Sequence, residues 1–427
     1  MERQSDIESL FRRESPRLIT VLTRILGAHN LELAEDVLQE AFIAALDDWS
    51  DGGIPDNAPA WLLTTARNRA IDAIRRERTR RTFAPDLAIY LDSEWTLART
   101  VDETFADEWI RDDQLKMIFM CCRPKLTPVN RLTLILKTLC GLSVPAIARA
   151  LLTTEAAVNK RLYRTRRALD GGDFGLPPED ELPEALETVH TVLYLLFNEG
   201  YHSTGEDPIV RELCRDAMSL TKLLADEPSV ASSGTVALLA LMCFNAARLD
   251  SRADDDGRLV PLDEQDRSLW DRDLIGQGFA LLRRSSGMGT VRAGRYHLEA
   301  AIAARHCQAE TFDATDWPSI CHLYDRLLDV APSPTTRLNR AVAISYRSGP
   351  REAIPLVEEL RAEDALPHSP VVAAALANLY GRAGRPDRAA EFLEEALDRT
   401  ETPHERRFIE RQAGRAMNVD GETAAGG

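Results

Sequence analysis

GLSVPAIARALLTTEAAVNKRLYRTRRAL, residues 141–169, decides how the rest of the chain is read. Ser143 is placed to cap a helix, Leu142 can staple onto Ile147, and Pro145 is tolerated in a first turn, where its missing N–H has no partner to lose. Leu151 and Leu152 close that short helix. A turn at Thr153 and Thr154 opens a second helix, in which Val158, Leu162 and Leu169 recur at spacings of four and seven and so face inward. Lys160, Arg164 and Arg167 then share the outer face. The form is a helix-turn-helix. The first turns of its second helix carry Thr154, Glu155, Ala156, Asn159 and Lys160, which can meet base edges, while Arg161, Arg164 and Arg167 can hold phosphates and set register. Leu152 and Thr153 stand where a turn glycine is common. A solvated basic face on an ordinary helical hairpin is the plain alternative.

Upstream, PAWLLTTARNRAIDAIRRERTRR, residues 59–81, reads as a second basic helix. Leu63, Ala66, Ala70 and Ile74 form its inward stripe, and Arg69, Asp72, Arg76 and Arg80 lie on another face. Before it, LAEDVLQEAFIAAL, residues 33–46, sets Val37, Leu38, Ala41 and Ala45 inward and Asp36, Gln39, Glu40 and Asp47 outward, an acidic face suited to a protein partner. Helices are expected over 7–26, 31–48 and 58–80, broken at Gly27 and by DGGIPDNAP.

The whole chain frames these pieces. Its 427 residues exceed one core of ordinary size and imply two to four domains. With 44% hydrophobic, 28% charged and 6% aromatic residues, the composition is that of a globular, mostly helical protein. The net charge of −16 argues against a nucleic-acid binder, but its distribution reverses that locally. Residues 57–81 carry seven arginines against Asp72 and Glu77, and residues 153–169 carry five cations against Glu155, so two basic helices sit in an acidic chain.

Seven scattered cysteines without a C-x-x-C pair read as reduced core residues. No apolar run approaches the roughly 20 residues of a membrane helix, and the N-terminus lacks the apolar core of a signal peptide. A cytoplasmic protein with no membrane contact is expected. G-x-S-x-G, H-E-x-x-H, P-loop and G-x-G-x-x-G patterns are absent, so no catalytic residue, metal or cofactor is expected.

Residues 82–108 lose apolar periodicity and gain acid, which reads as an extended linker, and GGDFGLPPEDELPE interrupts the helices again. Beyond it the chain is helical to about residue 415. LNRAVAISYRSGPREAIPLVEEL from Leu338 aligns with LANLYGRAGRPDRAAEFLEEAL from Leu376, each a helix, a turn with Gly349 or Gly384, and a helix opening near Ala353 or Ala389. Those alanines lie 36 positions apart, close to the roughly 34-residue period of tetratricopeptide repeats, so a stack of helix hairpins is expected. Asn198, Glu199, Tyr201 and His202 read as a capped helix end with a buried tyrosine, a small polar site being the alternative.

In chain order these motifs resemble the extracytoplasmic-function sigma factors of the sigma-70 family over residues 5–170. AEDVLQEAF resembles the polymerase-binding segment of region two, WLLTTARNRAIDAIRR the segment that melts and reads the minus-ten element, and LSVPAIARALLTTEAAVNKRLYRTRRAL region four, the reader of the minus-thirty-five element. TVLYLLFNEGYHSTG, residues 191–205, resembles a subgroup with a C-terminal tetratricopeptide-like helical extension. The resemblance implies an all-α fold: a region-two bundle over 5–81, an acidic linker over 82–111, a region-four helix-turn-helix domain over 112–170, a helical extension over 185–310 and repeats over 311–416.

It also implies a non-enzymatic factor that directs promoter-specific initiation. Asp36, Gln39, Glu40 and Phe42 would contact core RNA polymerase at the clamp coiled coil of its largest subunit, with its flap a further partner. Asn68, Arg69, Asp72, Arg75 and Arg76 would lie near the separated strand of promoter DNA, where arginine can bind backbone and stack on bases. Trp61 reads as core, a base-stacking platform being the alternative. The extension would regulate the factor, taking a protein or small-molecule effector on its repeats. A helix-turn-helix activator or repressor with a helical effector domain is the competing reading; it leaves residues 5–81 without a purpose.

Overall fold

The computed structural model describes residues 2–26, 30–78, 107–122, 126–168, 177–203, 207–254, 256–288, 293–367, 369–400 and 402–423. Among them the chain forms eighteen α-helices, two short 3-10 turns and an isolated β-bridge between Ala253 and Leu259, with no strand. The fold is all-α. Most of the acidic stretch, residues 82–106, lies outside the described residues, as do residues 169–176. Contacts divide the chain into two compact units, Met1–Leu196 and Phe197–Gly427.

The first unit opens with α1 (Glu2–Leu26), α2 (Leu31–Gly52) and α3 (Ala58–Arg78). Gly53 ends α2 in the left-handed region, φ 80°, and donates its N–H to the Trp49 carbonyl at 3.2 Å, a conformation that costs glycine least. Asn57 starts α3, its carboxamide accepting from the Ala60 N–H at 3.1 Å. The inward stripes meet as their periodicity requires: Leu62, Leu63, Ala66 and Ala70 of α3 are buried, as are Val37, Leu38, Ala41 and Ala45 of α2, and the two helices pack together.

The chain resumes with α4 (Asp107–Cys121), α5 (Pro128–Thr138), α6 (Val144–Ala150) and α7 (Glu155–Ala168). α4 packs on α1, and α5 packs on α7. α8 (Leu182–Tyr201) follows. Its first turn belongs to this unit, because Glu184 takes the buried Arg131 guanidinium of α5 in an ion pair of 2.7 Å. The break expected at GGDFGLPPEDELPE therefore precedes the division of the chain, which falls within α8.

The second unit continues from α8 with α9 (Arg211–Asp226) and α10 (Ser233–Ala246). α10 buries almost every residue, Val236 to Phe244 without interruption, as a helix apolar all round must. α11 (Arg272–Gly287) and α12 (Arg295–Gln308) pack on it, followed by α13 (Trp317–Val330). α11 comes close because it carries Gly278, where an added Cβ would meet the Phe244 ring at 2.7 Å.

The expected hairpins are α14 (Pro334–Ser348) with α15 (Pro350–Ala362), and α16 (Val371–Arg382) with α17 (Pro386–Asp398). Gly349 and Gly384 make the two turns at φ 97° and 73°, and Ala353 and Ala389 are fully buried in one apolar cluster with Val357, Leu376 and Phe392. α18 (Pro403–Thr423) closes the unit. Its His404 Nε2 lies 3.1 Å from the Ser203 carbonyl oxygen, and Arg411 pairs with Glu264 and, at 3.6 Å, with Asp254. The last helix thus returns to the segments that begin the unit.

Candidate nucleic-acid interface

The helix-turn-helix is built as its sequence dictates. The Ser143 hydroxyl accepts from the Ala146 N–H at 3.2 Å, Pro145 sits in the first turn of α6, and Leu142 and Ile147 are both buried. The turn solves its missing glycine by forcing Leu152 to φ 49°, a strained conformation for a branched side chain. The Leu152 side chain stays exposed, so only the backbone is confined. Thr154 caps α7, accepting from the Ala157 N–H at 3.3 Å.

Val158 and Leu162 fix α7 inward, and Thr154, Glu155, Asn159, Lys160 and Arg164 emerge exposed. Arg161 turns partly inward, with a buried Nη1. The Arg167 side chain lies outside the described ones. Two residues of this face escaped the sequence analysis. Tyr163 is 63% exposed beside Lys160 and Arg164, an aromatic among cations, and Arg166 turns back to an ion pair with Glu35 of α2 at 2.7 Å.

On α2, Asp36, Gln39 and Glu40 are exposed as expected, but Phe42 is not: only 4% of it is accessible. Leu38, Phe42, Ala45 and Trp49 follow one another at helical spacings of four, three and four, which puts Phe42 in the core stripe and not on the outward face. The outward apolar surface is Ile43, 56% exposed, with Leu46, 42% exposed. Ile43 lies four residues after Gln39, and that spacing was its available signal. Asp36 has its carboxyl raised above the usual range, first by partial burial, then by Glu32 and Glu40, against a lowering by Arg166.

On α3, Asn68 and Asp72 are exposed, and Arg69 pairs with Glu40 at 2.9 Å. The structure therefore joins two residues assigned to different partners. The side chains of Arg75 and Arg76 lie outside the described ones. Trp61 is half-buried with its ring edge-on to Trp49 at 5.1 Å, which is packing.

The motif around Tyr201 is packing too. Tyr201 stacks on Phe197 at 5.9 Å, the Arg252 guanidinium covers its ring at 3.8 Å, and a Cβ at Gly200 would strike the Cys214 N at 2.7 Å. All seven cysteines are buried and none forms a disulfide, and burial pushes the Cys121, Cys214 and Cys243 thiols up to about 12. Those three are not poised as thiolates. Among the described residues no helix is long and apolar enough to cross a membrane.

A basic helix-turn-helix following a three-helix bundle with one acidic outward face defines a class, and the family comparisons fall on the same residues. Residues 10–80 match Sigma-70 region 2, residues 116–169 match Sigma-70, region 4, and residues 185–286 match a family of unknown function (DUF6596). The first unit thus carries matches to both Sigma-70 regions, which supports a sigma factor role for the chain. It is 38% identical over 357 residues to an uncharacterized protein of Rhizobium meliloti, covering 80% of this chain and 82% of that one. It is 25% identical over 170 residues to the probable ECF RNA polymerase sigma factor SigI of Mycobacterium tuberculosis, covering 40% of this chain and 56% of that protein. No solved structure matches the chain.

Proposed function

We propose that this chain is an alternative sigma factor of the extracytoplasmic-function type. It binds core RNA polymerase through the outward face of α2, at the clamp coiled coil of the largest subunit, and directs initiation at its own promoters. One observation carries the reading: a single compact unit holds both an acidic face edged by exposed Ile43 and Leu46 and a capped helix-turn-helix whose outer face is cationic. A helix-turn-helix regulator needs only the second. Asp36, Gln39 and Glu40 meet the clamp with Ile43 and Leu46 supplying buried area, Asn68, Arg69, Asp72, Arg75 and Arg76 serve the separated strand, and α7 reads duplex DNA near the polymerase flap.

The second unit regulates this activity, as a tetratricopeptide-like domain attached to the factor it controls, with its helix hairpins offering the surface for an effector. The paired buried alanines at Ala353 and Ala389 support that assignment. In-vitro transcription with purified core polymerase on genomic promoter fragments tests both parts. Transcripts are expected with the native chain and not with Asp36→Arg or Arg76→Glu. Promoter binding without initiation by a competent core would favour the activator or repressor. A chain ending at His202 should change transcript yield; an unchanged yield and unchanged core affinity would remove the regulatory assignment.

A further inference from the structure

The last helix returns to the beginning of its unit and leaves a cleft where it does so. His404 and Arg411 lie two turns apart on one face of α18. The first sits 3.1 Å from the Ser203 carbonyl oxygen, and the second pairs with Glu264 and, at 3.6 Å, with Asp254. Between these two fastenings, Arg407 and Phe408 of the helix and Asp254, Arg258 and Leu259 of the loop before α11 line a cleft of about 420 Å³. That is room for a small organic molecule.

The loop side is preformed. Ala253 and Leu259 make an isolated β-bridge, the Asp254 N–H donates to the Arg258 carbonyl at 2.9 Å, and the Val260 N–H donates to the Arg252 carbonyl at 2.8 Å. Asp254 leaves no uncompensated charge in the cleft: its Oδ1 accepts from the Asp256 and Arg258 N–H groups at 3.1 and 2.8 Å, and its Oδ2 faces Arg411. Arg411 is spent in turn on Asp254 and Glu264. Arg258 and Arg407 remain. Arg258 pairs with Asp256 at 3.1 Å, but the two side chains are 54% and 67% exposed, and such a pair contributes little and exchanges readily. Arg407 gives its Nε to the Pro403 carbonyl of its own helix at 3.2 Å and has no ion-pair partner among the described residues. Two guanidinium forks therefore stand beside the half-buried Phe408 ring, a pairing that suits a planar carboxylate carried on an apolar body.

We propose that this cleft binds a small organic carboxylate, its anionic end held by Arg258 and Arg407 and its apolar end laid on Phe408. Bound there, the ligand joins α18 to the loop at a third point, between the His404 and Arg411 fastenings. None of these residues belongs to the faces assigned to polymerase or DNA, and the inference stands whether or not the chain is a sigma factor.

The probe is benzoate, titrated calorimetrically into the full chain, with benzamidine, which carries a cation on the same ring, as the control. Benzoate is expected to bind at one site and benzamidine not to bind. Arg407→Ala and Arg258→Ala, both at exposed positions, should each weaken benzoate binding about tenfold or more, the loss that goes with one hydrogen bond to a charged group. Arg351→Ala, which removes an exposed arginine from α15, should leave the affinity unchanged. Amide hydrogen exchange over residues 403–411 should slow with benzoate in the native chain and not in Arg407→Ala. Failure of benzoate to bind in the millimolar range, or equal affinity in the native, Arg258→Ala and Arg407→Ala chains, would overturn the site. Equal binding of benzoate and benzamidine would overturn its choice of an anion.

Discussion

Arginine does opposite work in the two units. On α7 of the first, Lys160 and Arg164 stand exposed, on the side away from Val158 and Leu162. In the second, Arg267 is buried, 7% exposed, and donates to the His306 and Ala309 carbonyl oxygens at 2.6 and 2.7 Å, with its guanidinium 4.7 Å from the Trp270 ring centroid. Those carbonyls end α12, where no backbone N–H remains to satisfy them. Arg382 behaves alike, donating to the Ser345 hydroxyl at 3.0 Å and its carbonyl at 3.2 Å while lying 4.3 Å from the Tyr346 ring centroid. The difference teaches that arginine content marks a cationic outer face only where an apolar stripe puts the guanidinium outside. Where helix ends crowd together, the same residue staples them.

The contrast can be broken most forcefully at Arg267. Arg267→Ala strips two buried carbonyls of their donors and should cost the second unit about 3 kcal/mol or more, read as a lowered calorimetric transition. Arg164→Ala should move stability by less than about 0.5 kcal/mol and instead weaken promoter binding. Gly278→Ala comes next, since its Cβ must push the Phe244 ring aside; about 1–3 kcal/mol of destabilisation is expected by the same measurement.

Acid sharpens the comparison. Burial, then Arg248 and Arg267, push the His306 imidazole down to about 3, from an ordinary value of about 6.5. Between those values the unfolded chain binds a proton that the folded one does not. Stability is therefore complete above pH 6.5 and falls as pH drops toward 3, by at most about 1.4 kcal/mol per pH unit for one site. His306→Gln should flatten the slope of acid unfolding relative to the native chain. The smallest effect belongs to Asp36. Its raised carboxyl is charged at a cost at neutral pH, and that cost is relieved as pH falls through the raised value, so Asp36→Asn should slightly raise the melting temperature while weakening binding to core polymerase.

What could be read in advance followed from periodicity and caps. The spacing of Val158 and Leu162 placed α7 and its outer face, Ser143 marked the start of α6, and the alanines at 353 and 389 marked the repeated hairpins. What could not be read depended on partners distant in the chain. Glu35 and Thr138 meet across 103 positions and Ser203 and His404 across 201, and no local pattern announces such pairs. Phe42 was misassigned because a motif resemblance outweighed its own helical register, which aligns it with Leu38, Ala45 and Trp49.

Hydroxyl-radical footprinting of the intact chain tests the two-surface account most directly, because Ile43, Leu46 and Tyr163 are exposed, reactive side chains in the first unit and Leu269, Met288 and Val330 are their counterparts in the second. Adding core polymerase should protect Ile43 and Leu46, and adding promoter DNA to that complex should extend protection to Tyr163, with Leu269, Met288 and Val330 unchanged. Protection confined to the second unit, with Ile43, Leu46 and Tyr163 as reactive as before, would contradict the account.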